Sequence, residues 1–197
     1  MKNVRRPTYS FLILVIGLIV INTFLAWFSI FISHIASPTL LTGVAVISIA
    51  AAFMVIFTLW FGMYGAIAAY IGGFFGAGLF FGMPPTVVVY LSFADLWMVL
   101  IPLVAFRIFE VNVGIESRRD LFHLVLFGVI INNFVTATWG SLSLAMGGVI
   151  GWNQVMTAFL PWFVGNAITT IIIVPLVLHH LTNRVSRSKV FVKTYWY

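Results

Sequence analysis

Six apolar runs, each near the length that crosses a bilayer, follow one another along this chain, and the cations all fall at alternate ends of them. Lys2, Arg5 and Arg6 precede the first run. Arg107, Arg118 and Arg119 flank the central polar segment, and Arg184, Arg187, Lys189 and Lys193 follow the last run. A transmembrane helix needs about 20 predominantly apolar residues. The Lys/Arg bias of short loops sets its orientation, with the basic side cytoplasmic. The runs fall at about 9–33, 39–60, 64–81, 86–106, 121–146 and 155–178. An even number of spans keeps every cation on one side. Merging the second and third runs into one span would place cations on opposite faces. The sequence therefore predicts an all-α polytopic integral membrane protein of six transmembrane helices. It forms one domain in the cell membrane, with both termini cytoplasmic.

Composition agrees. The chain is 62% hydrophobic and 7% charged, with a mean hydropathy of +1.15; soluble domains carry about 25% charged residues. The net charge of +6 is read as cytoplasmic anchoring near anionic headgroups, not as a nucleic-acid surface. The absence of cysteine excludes disulfides, thiol catalysis and zinc–thiolate sites. The first run is longer than the roughly 7–15 residues of a signal-peptide core, so a retained helix is expected.

The boundaries carry their own signals. Gly82-Met83-Pro84-Pro85 ends the third run, because paired prolines remove amide donors and enforce extended backbone. The segment from Arg107 to Asp120 is the charged inner loop. Residues 147–153 form an outer loop, and Phe61-Gly62-Met63-Tyr64 is a weaker break. Pro102 is expected to kink the inner end of the fourth span. The tail from 179 to 197 mixes basic residues with Phe191, Tyr195, Trp196 and Tyr197, which suits the headgroup layer.

An ionisable group at membrane depth is a functional hypothesis by default. Asp95 is the one carboxylate that qualifies. It stands roughly 15 Å into the fourth span at 1.5 Å per residue, with no Lys or Arg at matching depth. A ligand for a cationic group, a proton carrier and a structural acceptor are all open roles. The fifth span carries Asn132, Thr136, Trp139 and Ser143 on one helical face, with Asn133 beside it. The sixth carries Trp162, Asn166, Thr169 and Thr170 on one face. Asp95, Asn132, Asn133, Thr136, Trp139, Trp162 and Asn166 are the candidate substrate-binding residues: a polar floor with aromatic walls, opening outward. The same residues could serve instead as interhelical glue.

Small residues recur every four positions in the third span, at Gly65, Ala69, Gly73 and Ala77, with Ala68, Gly72 and Gly76 alongside. They fit close helix packing inside the chain or a docking face for a partner. His123 follows Asp120 by three and is placed to pair with it. His179 and His180 are adjacent and His34 is alone, so no metal site is expected. No nucleophile elbow, His-Glu-x-x-His element or phosphate loop occurs, and neither an enzyme activity nor a cofactor is expected.

The plan resembles the substrate-binding (S) components of energy-coupling factor (ECF) vitamin transporters. The resemblance rests on Trp60-Phe61-Gly62-Met63-Tyr64-Gly65-Ala66, on Tyr70-Ile71-Gly72-Gly73, and on polar faces in spans 4 to 6 beneath outer loops. It implies a binder of a small vitamin-like molecule that works with a separate transmembrane coupling subunit and ATPases. The family's docking pair of alanines in the first helix is met here by Ala26 alone, with Asn22 and Ile30 on either side. A second resemblance is to membrane-associated sensor modules of histidine kinases and diguanylate cyclases, through Trp162-Phe163-Val164-Gly165-Asn166 and Pro175. It implies ligand sensing, here through a separate signalling protein. Proton-coupled transport by the chain alone, with Asp95 as carrier, is the third expectation.

Overall fold

The computed structural model describes residues 9–36 and 47–191. Lys2, Arg5, Arg6, the start of the expected second span, and the tail from Lys193 to Tyr197 lie outside the described residues. Every regular element among those described is helical. Helix α1 spans Tyr9–Ala36, α2 Ile49–Phe61 and α3 Met63–Gly73. The last continues as a π-helical stretch, Phe74–Gly78, and a 3-10 turn, Leu79–Phe81. Helix α4 covers Pro85–Ile108. Helix α5 (Arg118–His123), a π-helical stretch (Leu124–Ile131) and α6 (Asn132–Met146) run on as one rod. Helix α7 spans Val155–Val185. Five of these segments are long and apolar enough to cross a membrane, and α2 is a shorter apolar helix.

Exposure identifies the solvent. On α1, Ile13 is 71% exposed while Asn22 is 0% exposed. The same inversion holds along α7, where Leu160, Ile168 and Ile172 face outward and Asn166 and Thr170 are buried. Apolar side chains outside and amides inside is the arrangement that lipid favours: nothing is gained by hiding Leu from hydrocarbon, whereas polar groups must find partners within the bundle.

Helix α2 is the centre of the bundle. It is apolar on every side, as a fully buried helix must be, and it packs against α1, α3, α4 and α7. Its 13 residues make about 20 Å of helix, short of the ~30 Å hydrocarbon layer. Of the span expected from 39 to 60, residues 39–46 lie outside the described residues; α2 begins at Ile49, and α1 helps to cap it. Ser29 Oγ accepts the Ala50 amide at 3.3 Å and Ser33 Oγ accepts the Ile47 amide at 3.4 Å. The N-cap residue Ser48 accepts the Ala51 amide at 3.2 Å. Three donors at a helix start, which would otherwise be orphaned in apolar surroundings, are thereby satisfied.

The weak break at Gly62 is a true corner. Its φ of +58° with ψ of −127° is open to glycine and strained for other residues. One residue therefore folds α3 back along α2, and Gly65 rests on the backbone of Phe57 and Thr58. The small residues of α3 face inward: Gly65, Ala68, Ala69, Gly72 and Gly73 are all buried within the chain. Gly72 lies against Asn22 and Gly76 against Thr23 and Ala26 of α1. Pro102 sits inside α4, which continues past it to Ile108, and α7 runs to Val185 instead of stopping at Leu178.

The charged loop between α4 and α5 is tied by Asp120. Its Oδ1 accepts the Asn112 amide at 3.1 Å. Its Oδ2 accepts the Ser117 amide at 3.1 Å and the Ser117 hydroxyl at 2.7 Å, while Ser117 Oγ accepts the Asp120 amide, a reciprocal capping box. The expected His123–Asp120 pair does not form. Asp120 is held by its cap, and His123 Nδ1–H donates to the Arg119 carbonyl at 2.8 Å.

Candidate functional site

Two of the sequence-predicted polar faces separate in three dimensions, because each meets a different neighbour. The face of α6 lies on α4. Asn132 Nδ2 donates to the Met98 carbonyl at 3.1 Å, Thr136 Oγ1 to the Ala94 carbonyl at 3.4 Å, and Trp139 Nε1 to the Tyr90 carbonyl at 2.8 Å. The carbonyls at 90, 94 and 98 climb α4 in helical turns, so three side chains of one antiparallel helix clamp the other. Asn133 turns the opposite way. Its Nδ2 donates to Thr170 Oγ1 at 3.0 Å, joining α6 to α7, and also to the Val129 carbonyl at 2.8 Å within the π-helical stretch. Asn132, Asn133 and Thr136 are thus engaged in helix-to-helix bonding.

Asp95, Trp162 and Asn166 come together elsewhere. They line an interior cavity with Ser29 of α1, Ser48 at the start of α2, and Met54 and Met98. Its volume is about 40 Å³. A single water needs ~10–15 Å³ by that measure, so the cavity holds a few waters' worth of matter. The Asp95 carboxylate overlies Gly73, whose missing side chain makes the space it occupies. Trp162 is seated by a second glycine, its ring lying against Gly140 of α6.

Polar capacity remains unused around this region. Asp95 has no hydrogen-bond partner among the described residues. Asn166 is 1% exposed and its Oδ1 is unpartnered. Buried amides are ordinarily satisfied, so the Asn166 oxygen keeps an acceptor free on the cavity wall; the Oδ1 atoms of Asn132 and Asn133 are likewise unpartnered but lie away from it. Asn22, at 0% exposure, has neither amide atom partnered, and Thr58 Oγ1 is also unpartnered. The sequence reading did not place Asn22, Ser29 or Ser48 in a site. The available signal was the recurrence of Asn22, Ser29 and Ser33 at i, i+7 and i+11, a polar stripe on a helix otherwise suited to lipid.

Trp139 belongs to a second concavity, between α4 and α6. This one has room of about 520 Å³ and is lined by Thr86, Tyr90, Leu142, Ser143 and Met146 among others. Tyr90 is 62% and Met146 76% exposed, so it opens on the outward apolar surface and not into the bundle. Searches against protein-family models, curated proteins and solved structures find no match to this chain.

Proposed function

We propose that this chain is a multi-pass transport component of the cell membrane, with six spans and both termini cytoplasmic. Its working site is the interior cavity of Asp95, Asn166 and Trp162, reached from the outer face. The reading is carried by one observation: a carboxylate and a buried, unpartnered amide oxygen, from α4 and α7, line the same space inside an apolar bundle. Intramembrane carboxylates of this kind mark solute and ion pathways. The one-sided distribution of Lys and Arg supports the orientation.

The size of the cavity bears on the substrate. A vitamin-sized ligand fills a pocket of roughly 300–1,000 Å³, so its entry requires α1 and α2 to part from α4 and α7. A small solute needs no such opening. The purified chain in lipid vesicles is the test: a solute that accumulates with wild type should fail to accumulate with Asp95→Asn and be slowed with Trp162→Ala. Unchanged uptake in both variants rejects the site. Co-purification of a coupling subunit with ATPases would assign the chain to the energy-coupling-factor type of uptake.

Sensing is the second reading, and one feature favours it. Helix α7 carries Trp162 and Asn166 on the cavity wall and continues without interruption to Val185 at the basic end. A change at the cavity therefore has a continuous helical route, through Pro175, toward the basic end. Recovery of a kinase or cyclase with the chain, in place of ATPases, would support this reading over transport.

A further inference from the structure

We infer that the interior cavity binds one small monovalent cation of the sodium class, held by the Asp95 carboxylate and Asn166 Oδ1 and completed by the hydroxyls of Ser29 and Ser48. The inference deepens the transport reading and rests on the same cavity.

The ligand set is the first ground. Four of the polar side chains on the described wall, Ser29, Ser48, Asp95 and Asn166, carry oxygen, the donor that hard cations take; the fifth, Trp162, carries an indole N–H. Ser29 Oγ and Ser48 Oγ each accept one backbone amide from the first turn of α2. A hydroxyl has two lone pairs, so each keeps one for a second partner. Asn166 Oδ1 has no partner and is almost wholly buried. Those hydroxyls also take the amides that could make the start of α2 an anion site. An anion would meet the Asp95 carboxylate in surroundings that screen charge weakly.

Charge and volume then narrow the class. Among the described residues no three His, Cys, Asp or Glu side chains gather into a metal-binding group. Asp95 is the single carboxylate on the cavity wall among the described residues. One negative charge with neutral oxygens balances one positive charge, whereas divalent sites in proteins recruit several carboxylates. A cavity volume of about 40 Å³ suits a partly dehydrated ion with one or two waters better than an organic cation such as choline. Gly73 fixes the geometry by letting the carboxylate lie flat against α3.

The test uses the purified full chain in detergent at fixed pH and ionic strength, with choline chloride replaced stepwise by sodium or potassium chloride. Sodium is expected to raise the melting temperature saturably and to compete with bound radiolabelled sodium. Potassium should act more weakly. Asp95→Asn should abolish the response and Asn166→Ala should weaken apparent affinity by about tenfold or more, as expected for a lost charge-assisted contact or ion ligand. Ser143→Ala, away from the cavity, should leave it unchanged. Identical wild-type behaviour in sodium and choline overturns the inference, and this comparison does not depend on any variant folding. Sodium binding without solute uptake in vesicles would support the cation site while removing transport by the chain alone. Uptake with no sodium binding would overturn the cation site and leave the transport reading standing.

Discussion

The carboxylate of Asp95 occupies the space that a side chain at Gly73 would need, so α3 and α4 approach each other through an acid and a glycine. Each is required by the other. An alanine at 73 would drive the carboxylate off its seat, and the cavity wall would move with it.

Gly73→Ala is accordingly expected to destabilise the bundle by about 1–3 kcal/mol, the usual cost of overpacking, and to impair whatever binds at Asp95. Gly17→Ala is the control. Nothing lies within 4 Å of its missing Cβ, and alanine there should be neutral or stabilising by up to about 1 kcal/mol. Thermal unfolding of both variants in the same detergent distinguishes specific packing at 73 from a general intolerance of α-carbon substitution.

Trp139→Phe keeps an aromatic, smaller ring and removes the donor to the Tyr90 carbonyl. Loosening of the α4–α6 clamp by roughly 0.6–1.7 kcal/mol is expected, the range for intramembrane hydrogen bonds, with ligand binding at the interior cavity unchanged. Trp162→Ala should do the reverse and weaken binding, since Trp162 lines the cavity itself. A binding assay alongside a melting curve for each separates the two tryptophans. Loss of binding in Trp139→Phe would return that residue to the site.

Thr182→Val is nearly isosteric and removes the acceptor for Trp60 Nε1, which donates to Thr182 Oγ1 at 3.0 Å in the buried contact between α2 and α7. An orphaned indole N–H costs about 1–3 kcal/mol. The melting temperature should fall, and Trp60 fluorescence should shift as its environment changes. An unchanged melting temperature would mean that this link contributes nothing to holding α7 on the core.

Asp120→Asn weakens the cap and the tether to Asn112, with an expected loss of about 0.5–2 kcal/mol at the helix start. The loop it closes contains Glu110 and Ile115, two non-glycine residues at positive φ, a conformation that persists only under constraint. Faster limited proteolysis between 109 and 117 is the expected signature. Wild-type resistance in the variant would show that the loop is held by other contacts.

Sidedness has a direct test because the chain has no cysteine. Asn153→Cys should react with a membrane-impermeant maleimide in intact cells, and Ser188→Cys only after lysis. The opposite result inverts the orientation and places the mouth of the cavity on the cytoplasmic side.

Much of the architecture was legible because its signals are chemical. Paired prolines at 84 and 85 stop a span whatever surrounds them, and Gly62 could be suspected as a corner because so few residues tolerate its backbone. The start of α2 at Ile49 was not legible, because hydropathy does not mark where a helix begins within an apolar run. The π-helical stretches at Phe74–Gly78 and Leu124–Ile131 were hidden for the same reason. Within the site, Asp95 was found by its charge alone. Asn132 and Asn166 could not be told apart by type. What distinguishes them is position: Asn132 Nδ2 donates across to the Met98 carbonyl of α4, whereas Asn166 lies on the cavity wall beside Asp95; the Oδ1 of each is unpartnered.

The glycines and alanines of α3 are taken up against α1, α2 and α4, which leaves the perimeter of the bundle to bulky side chains such as Phe24 and Val20 on α1 and Ile168 and Ile172 on α7. A companion subunit approaching through the lipid would therefore meet knobs and not a smooth seam. It would have to offer hollows of its own, so recognition between the two would be a matter of matched relief more than of close backbone approach.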